Sequence, residues 1–247
     1  ASVGKKPFVF TAGAFLAYRS MEFIRDDVCF QNLNVKIIGM GSGLSWSSLG
    51  PTHHTTEDIS VLRAIPNLMI LSPATPRQVA ACVQTAYEYD GPVYIKIGMN
   101  HEKEYFKDGY VHDVKKSDCL RDGKNIAVFV TGSILDEAMK ACEMLEQNGI
   151  SVKLINVTTI KPFNENEVLD IVKQIQKIAV IEEHNIYGGL ASIISETIAY
   201  NGLNARVIPI GLNDTFAGGY GTHAMVRKVN QLDSISIYQR LKEACKE

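Results

Sequence analysis

Short apolar runs rich in β-branched residues recur along this chain, and nearly every one is followed by an amphipathic helical stretch. The runs cover residues 8–11, 35–38, 68–71, 93–97, 126–131, 152–157, 178–181 and 207–210. Their length and composition suit strands buried on both faces, as in parallel sheets. Apolar residues at helical spacing mark helices near 14–30, 57–65, 76–88, 133–148, 164–175, 188–201 and 235–246. This alternation predicts an α/β fold with right-handed crossovers.

The alternation breaks once. From His101 to Lys124 the sequence is highly charged and has little apolar periodicity, as expected of a surface excursion between two units. The reading is therefore two consecutive parallel-sheet, three-layer units, 1–105 and 125–247, joined by a linker over 106–124. A length of 247 residues accommodates both. Thr75 followed by Pro76 marks a helix start, with the hydroxyl as cap and proline at the first helical position. Gly132-Ser133 and Gly188-Gly189 each stand between a strand and a helix, where glycine permits a tight turn.

Composition closes off several functions. A net charge of −2 gives no basic footprint for nucleic acid. No apolar run reaches the roughly 18 residues of a membrane span, and no signal peptide is visible. Cys29, Cys82, Cys119, Cys142 and Cys245 are odd in number and widely spaced. That pattern argues against a disulfide framework or structural zinc and for a reducing cytoplasm.

The most informative segment is Gly50-Pro51-Thr52-His53-His54-Thr55-Thr56-Glu57-Asp58. A Gly-Pro turn presents two imidazoles just ahead of a helix, where side chains point into crevices rather than cores. Histidine titrates near neutral pH and suits proton transfer at hydroxyl groups. Glu57 and Asp58 read most simply as acids complementing the helix dipole. Glu182, Glu183, His184 and His223 have metal-ligand chemistry, but a structural role is the stronger reading, and no metal site is assigned.

Five segments in order carry a resemblance: residues 8–16, 27–37, 50–67, 89–96, and Val180-Ile181-Glu182-Glu183-His184 with Gly188-Gly189. Together they resemble the C-terminal half of transketolases across nearly the whole chain. The resemblance implies a thiamine-diphosphate pyrimidine-binding domain, N-terminally incomplete, followed by a transketolase C-terminal domain. It implies reversible transfer of a two-carbon ketol unit from a ketose to an aldose. The family's pyrophosphate domain has no counterpart here, nor does its Glu-Gln-Asn segment, whose glutamate activates the aminopyrimidine. The chain thus resembles the second subunit of a split transketolase without its N-terminal stretch. Its implied partner is a pyrophosphate-domain subunit that holds the cofactor diphosphate through Mg or Ca, in a dimer of heterodimers.

By the same resemblance His53, with His54 beside it, falls at the catalytic position, and His53 also contacts the sugar. Phe15 falls where an aromatic ring stacks on the aminopyrimidine, and Tyr18 lines the same pocket. The pattern also departs from the family. Gly41 stands where a histidine is usual, Leu49 in place of an aspartate, and Met99 in place of the arginine that grips the sugar phosphate. The expected substrate is accordingly an unusual anionic sugar, a sulfonate or a branched sugar phosphate, read by Lys96, Asn100 and His101. Two rival readings stand beside this one. One is a related thiamine enzyme, of the deoxyxylulose-phosphate synthase or 2-oxoacid dehydrogenase beta type; the other is a non-catalytic scaffold partner.

Overall fold

The computed structural model describes residues 1–246. Two five-stranded sheets carry the chain. In the first, β1 (Phe8–Ala12), β2 (Lys36–Met40), β4 (Val93–Ile97), β3 (Met69–Leu71) and β8 (Thr159–Lys161) lie side by side in that order. In the second the order is β10 (Arg206–Leu212), β9 (Lys177–Asn185), β6 (Ile126–Thr131), β7 (Val152–Asn156) and β5 (Asp118–Arg121). The eight strands expected from the apolar runs all form and pair in parallel. The helices between them are α2 (Asp58–Leu62), α3 (Pro76–Glu88), α4 (Leu135–Gln147), α5 (Glu165–Val172), α6 (Leu190–Tyr200) and α8 (Ser234–Lys246). α3 begins as its cap predicts: the Thr75 hydroxyl accepts from the Gln78 N–H at 3.4 Å, with Pro76 in the first turn.

The structure corrects four expectations. The sheets are mixed rather than purely parallel, because β5 and β8 run antiparallel to β7 and β3. β5 lies inside the stretch expected to be linker; only its backbone pairing with β7 makes it a strand. β1 is an edge strand and not a buried one: Phe10 is 66% exposed and Val9 43%. The helix expected over 14–30 is irregular, with π-helical turns Phe15–Arg19 and Ile24–Cys29 around a short α1 (Met21–Phe23). A further helix, α7 (His223–Val229), had no clear periodic signal.

β8 ties the halves together. It follows β7 of the second sheet directly, yet adds its backbone to β3 of the first. Lys161 then donates to the carbonyls of Arg63 and Ile65 at 2.8 and 2.5 Å. A single apolar cluster joins Leu16, Ile59 and Leu62 of the first unit to Ile178, Leu190 and Ile193 of the second. Such continuous burial fixes the relative placement of the two units more firmly than a wet contact could. Among the described residues no helix is long and apolar enough to cross a membrane.

Candidate active site

The loop from Gly41 to Asp58 leaves the C-terminal end of β2, the edge at which open α/β sheets place their sites. Two backbone bonds between Gly43 and Thr55, at 3.1 and 2.9 Å, close it at its base. Inside, the N–H groups of His53 and His54 both donate to the Gly50 carbonyl, at 3.0 and 3.2 Å. Gly41 adopts φ +71°, and a Cβ there would collide with the Trp46 indole. Glycine at this position is therefore a local packing requirement. Gly50, at φ +76°, likewise leaves room for the Tyr220 ring of the second unit.

The two histidines face different surroundings. His53 is half-buried, and its Nδ1 lies 3.0 Å from the Thr52 hydroxyl. Its ring meets that of Phe15 edge-on, with centroids 5.0 Å apart. His54 is 2% exposed, and neither ring nitrogen has a hydrogen-bond partner. Burial holds its pKa below the ordinary imidazole range, opposed by Glu183 and Glu57 and reinforced by His223 and His53. It is a neutral, enclosed imidazole.

Phe15 and Tyr18 both reach the 53–57 segment from the helical run after β1. Phe15 keeps 39% of its surface exposed. The Tyr18 hydroxyl donates to Glu57 Oε2 at 2.8 Å and accepts from the Glu57 N–H at 3.0 Å. Burial, together with the nearby charges of Asp58 and Glu57, pushes its pKa far above the phenol range. Tyr18 therefore stays protonated and pins the helical run to the start of α2.

Lys96 is already occupied within the protein. It is 4% exposed, paired with Asp58 at 2.5 Å and donating to the Thr55 carbonyl at 3.0 Å. Asp58 also accepts from the Tyr94 hydroxyl at 2.8 Å. The lysine thus neutralises a buried acid. Leu49 and Met99 are 45% and 44% exposed, so two large apolar side chains face outward from these loops. Asn100 and His101 are exposed beside them. Asn100 Nδ2 donates to the Ser45 carbonyl at 3.1 Å and lies 3.0 Å from His223 Nδ1.

That last contact was not legible in the sequence. His223 opens α7 in the second unit, after the Thr222 cap. Its Nε2 lies 2.9 Å from Glu183 Oε1. Glu183 also accepts from the Leu44 N–H at 2.9 Å and is paired with Arg227. Burial alone would push this carboxyl up, but the Arg227 guanidinium and His223 hold it well below the usual carboxylate range. Glu182 caps α6 through the N–H groups of Leu190 and Ala191 at 2.8 and 3.0 Å. His184 lies 3.4 Å from the Ser60 N–H and hydroxyl.

The chain is similar to known proteins along most of its length. The Transketolase, pyrimidine binding domain family matches residues 1–100, and the Transketolase, C-terminal domain family matches 115–234. One chain of an apulose-4-phosphate transketolase from Actinobacillus succinogenes is 35% identical over 95% of this chain and 75% of its own length. The chain belongs to the transketolase family. Within this family, a 1-deoxy-D-xylulose-5-phosphate synthase from Halothermothrix orenii is 33% identical over 97% of the chain, which spans 38% of that protein. A solved structure described as a split gene transketolase, inactive beta4 tetramer, superposes with a TM-score of 0.90 at 29% identity. That likeness covers 99% of this chain and 78% of the other.

Thiamine diphosphate is the cofactor expected of the family. The residues present fit its pyrimidine half: the exposed Phe15 ring offers a stacking face, with Tyr18 and His53 beside it. Among the described residues no group of three His, Cys, Asp or Glu side chains is placed to hold a metal ion.

Proposed function

We propose that this chain is the pyrimidine-binding and C-terminal subunit of a split, thiamine-diphosphate-dependent transketolase. The observation that carries this reading is the meeting of Phe15 and His53, an aromatic platform and an imidazole drawn from separate segments into one exposed patch. The proposed partner is a pyrophosphate-domain subunit holding the diphosphate through Mg or Ca, in a dimer of heterodimers. The related chain captured as an inactive beta4 tetramer supports a polypeptide that is silent by itself.

When bound, the cofactor supplies the carbon nucleophile and electron sink that let a ketose break between C2 and C3. Phe15 binds the pyrimidine face, and its edge contact restrains the His53 ring. Thr52 engages His53 Nδ1, which leaves Nε2 to exchange a proton with a sugar hydroxyl near the cleaved bond. Tyr18, protonated and tied to Glu57, orients the pocket and transfers no proton. His54, neutral and enclosed, supports the turn from behind rather than meeting the sugar.

The proposed substrate is an anionic sugar other than the usual pentose and hexose phosphates. Met99 cannot make the bidentate, charge-assisted contact of an arginine, and Lys96 is occupied by Asp58. Asn100 and His101 remain to meet the sugar's polar end. The apulose-4-phosphate enzyme among the relatives makes a branched sugar phosphate the first choice. Two-carbon transfer by the full-length polypeptide assembled with its partner, assayed on branched and linear sugar phosphates, tests the reading. Preference for xylulose 5-phosphate and ribose 5-phosphate would refute the substrate assignment.

A further inference from the structure

We propose that His223, on the C-terminal domain, is a positioning residue for sugar recognition: it holds the Asn100 side chain, and with it the 98–101 loop, against the 41–50 loop that leads into the histidine turn. The proposal rests on the functional reading above and adds a residue from the domain that carries none of the expected site.

The hydrogen bonds fix the chemistry. Asn100 Nδ2 is a donor to the Ser45 carbonyl at 3.1 Å. Its second hydrogen points to His223 Nδ1 at 3.0 Å, so that nitrogen must accept. The imidazole proton then sits on Nε2 and is donated to Glu183 at 2.9 Å. Glu183 cannot turn away, because it is held by the Leu44 N–H and by Arg227. The low pKa of Glu183 keeps it an anionic acceptor at neutral pH. The tautomer of His223 is thus dictated from behind, and with it the orientation of the Asn100 amide. Both amide hydrogens are used on the protein, which leaves the Oδ1 atom of this exposed residue as the acceptor offered to a ligand.

An exposed asparagine on a loop otherwise gives up rotamer freedom when it binds a ligand, a cost that weakens binding. Two groups hold this one in advance, the Ser45 carbonyl of the 41–50 loop and His223 of the second unit, and Glu183 stands behind both, bonded to the Leu44 N–H and to His223. Both segments of the first unit that frame the sugar therefore lean on one carboxylate of the second.

Two conservative replacements separate the contacts. His223→Gln retains a donor near the Nε2 position and loses the acceptor at Nδ1; His223→Asn does the reverse. In the assembled two-chain enzyme, H223Q should raise the KM for the sugar about five- to tenfold, the loss of one hydrogen bond, with kcat within about twofold. H223N should hold KM within about twofold of the unaltered chain, and Asn100→Ala should match H223Q and add nothing to it. Unchanged KM in H223Q overturns the proposal, as do equal rises in H223Q and H223N that track a loss of Tm. Side-chain amide NMR of the chain by itself separates this from failure of the functional reading. An Asn100 side-chain amide proton shifted downfield and protected from solvent exchange in the unaltered chain and H223N, with shift and protection both lost in H223Q, supports the positioning even if no ketol transfer is found. The same Asn100 signals in all three contradict it.

Discussion

The rings of Phe15 and His53 meet edge-on, 5.0 Å apart and inclined at 69°. One follows the edge strand β1; the other sits on the turn that leads into α2. The parallel pairing of β1 with β2 brings these segments to the same end of the sheet. Phe15 is over a third exposed there; the Arg19 guanidinium lies 5.9 Å over its centroid, and the rest of the ring surface is left for a flat ligand. Phe15→Ala should weaken thiamine diphosphate binding by the assembled enzyme about tenfold, the worth of one aromatic stack. Isothermal titration calorimetry measures this, and Tm should stay nearly constant.

His53 and His54 should separate cleanly. His53→Ala should lower kcat about 10²- to 10⁴-fold, the usual contribution of a positioned acid–base group. Its effect on folding stability should be within about 0.5 kcal/mol, because the ring is only half-buried. His54→Leu should leave stability equal or higher, since it removes two buried nitrogens that have no partner. Stopped-time assays and chemical denaturation of the same two variants decide both points.

Lys96→Met should cost about 3–5 kcal/mol, because it strands the buried Asp58 charge. Adding Asp58→Asn should recover much of that loss, as expected when both members of a buried pair are removed together. Urea unfolding of the single and double variants measures the coupling. A loss of sugar affinity without a loss of stability in K96M would restore the lysine as an anion reader.

Acid should act in two steps. Burial depresses the His54 pKa, so below about 6.5 the unfolded chain takes up a proton that the folded one refuses. Stability therefore falls as pH drops through that value, and His54→Leu removes this limb. Glu183 is also depressed, here by Arg227 and His223 against burial. Its contribution is present above the unfolded carboxylate pKa of about 4.3 and is lost as pH falls below it. Glu183→Gln should lower stability at neutral pH and flatten the second step. Denaturant midpoints between pH 3 and 8 resolve the two.

Met99→Arg should shift preference toward linear sugar phosphates. A new charge-assisted contact contributes about 1.5–3 kcal/mol, or roughly tenfold or more in kcat/KM. Competition assays with xylulose 5-phosphate and a branched sugar phosphate measure the ratio, and no change would show that the anion binds elsewhere.

Much of this architecture was legible because it is local. α3, β4 and β6 occupy the residues their patterns mark: a Thr-Pro cap, a bounded apolar run, a β-branched stretch. The histidine turn stood out for the same reason. What escaped was non-local. β8 is three residues long and follows β7 closely, and only its antiparallel pairing with β3 gives it an identity. β5 is charged and partly exposed, so no apolar run announces it. Lys96 beside Met99 and Asn100 looked available, and its partner Asp58 lies on another element. His223 lies outside every periodic stretch, and its contact with Asn100 arises only from the docking of two units.

The most direct measurement is thiamine-diphosphate-dependent two-carbon transfer by the full-length polypeptide, alone and mixed with a pyrophosphate-domain subunit. A shared active site predicts no turnover by either chain alone, turnover by the mixture, and its loss in the mixture carrying His53→Ala. Turnover by this polypeptide without a partner, or full turnover by the H53A mixture, would contradict it.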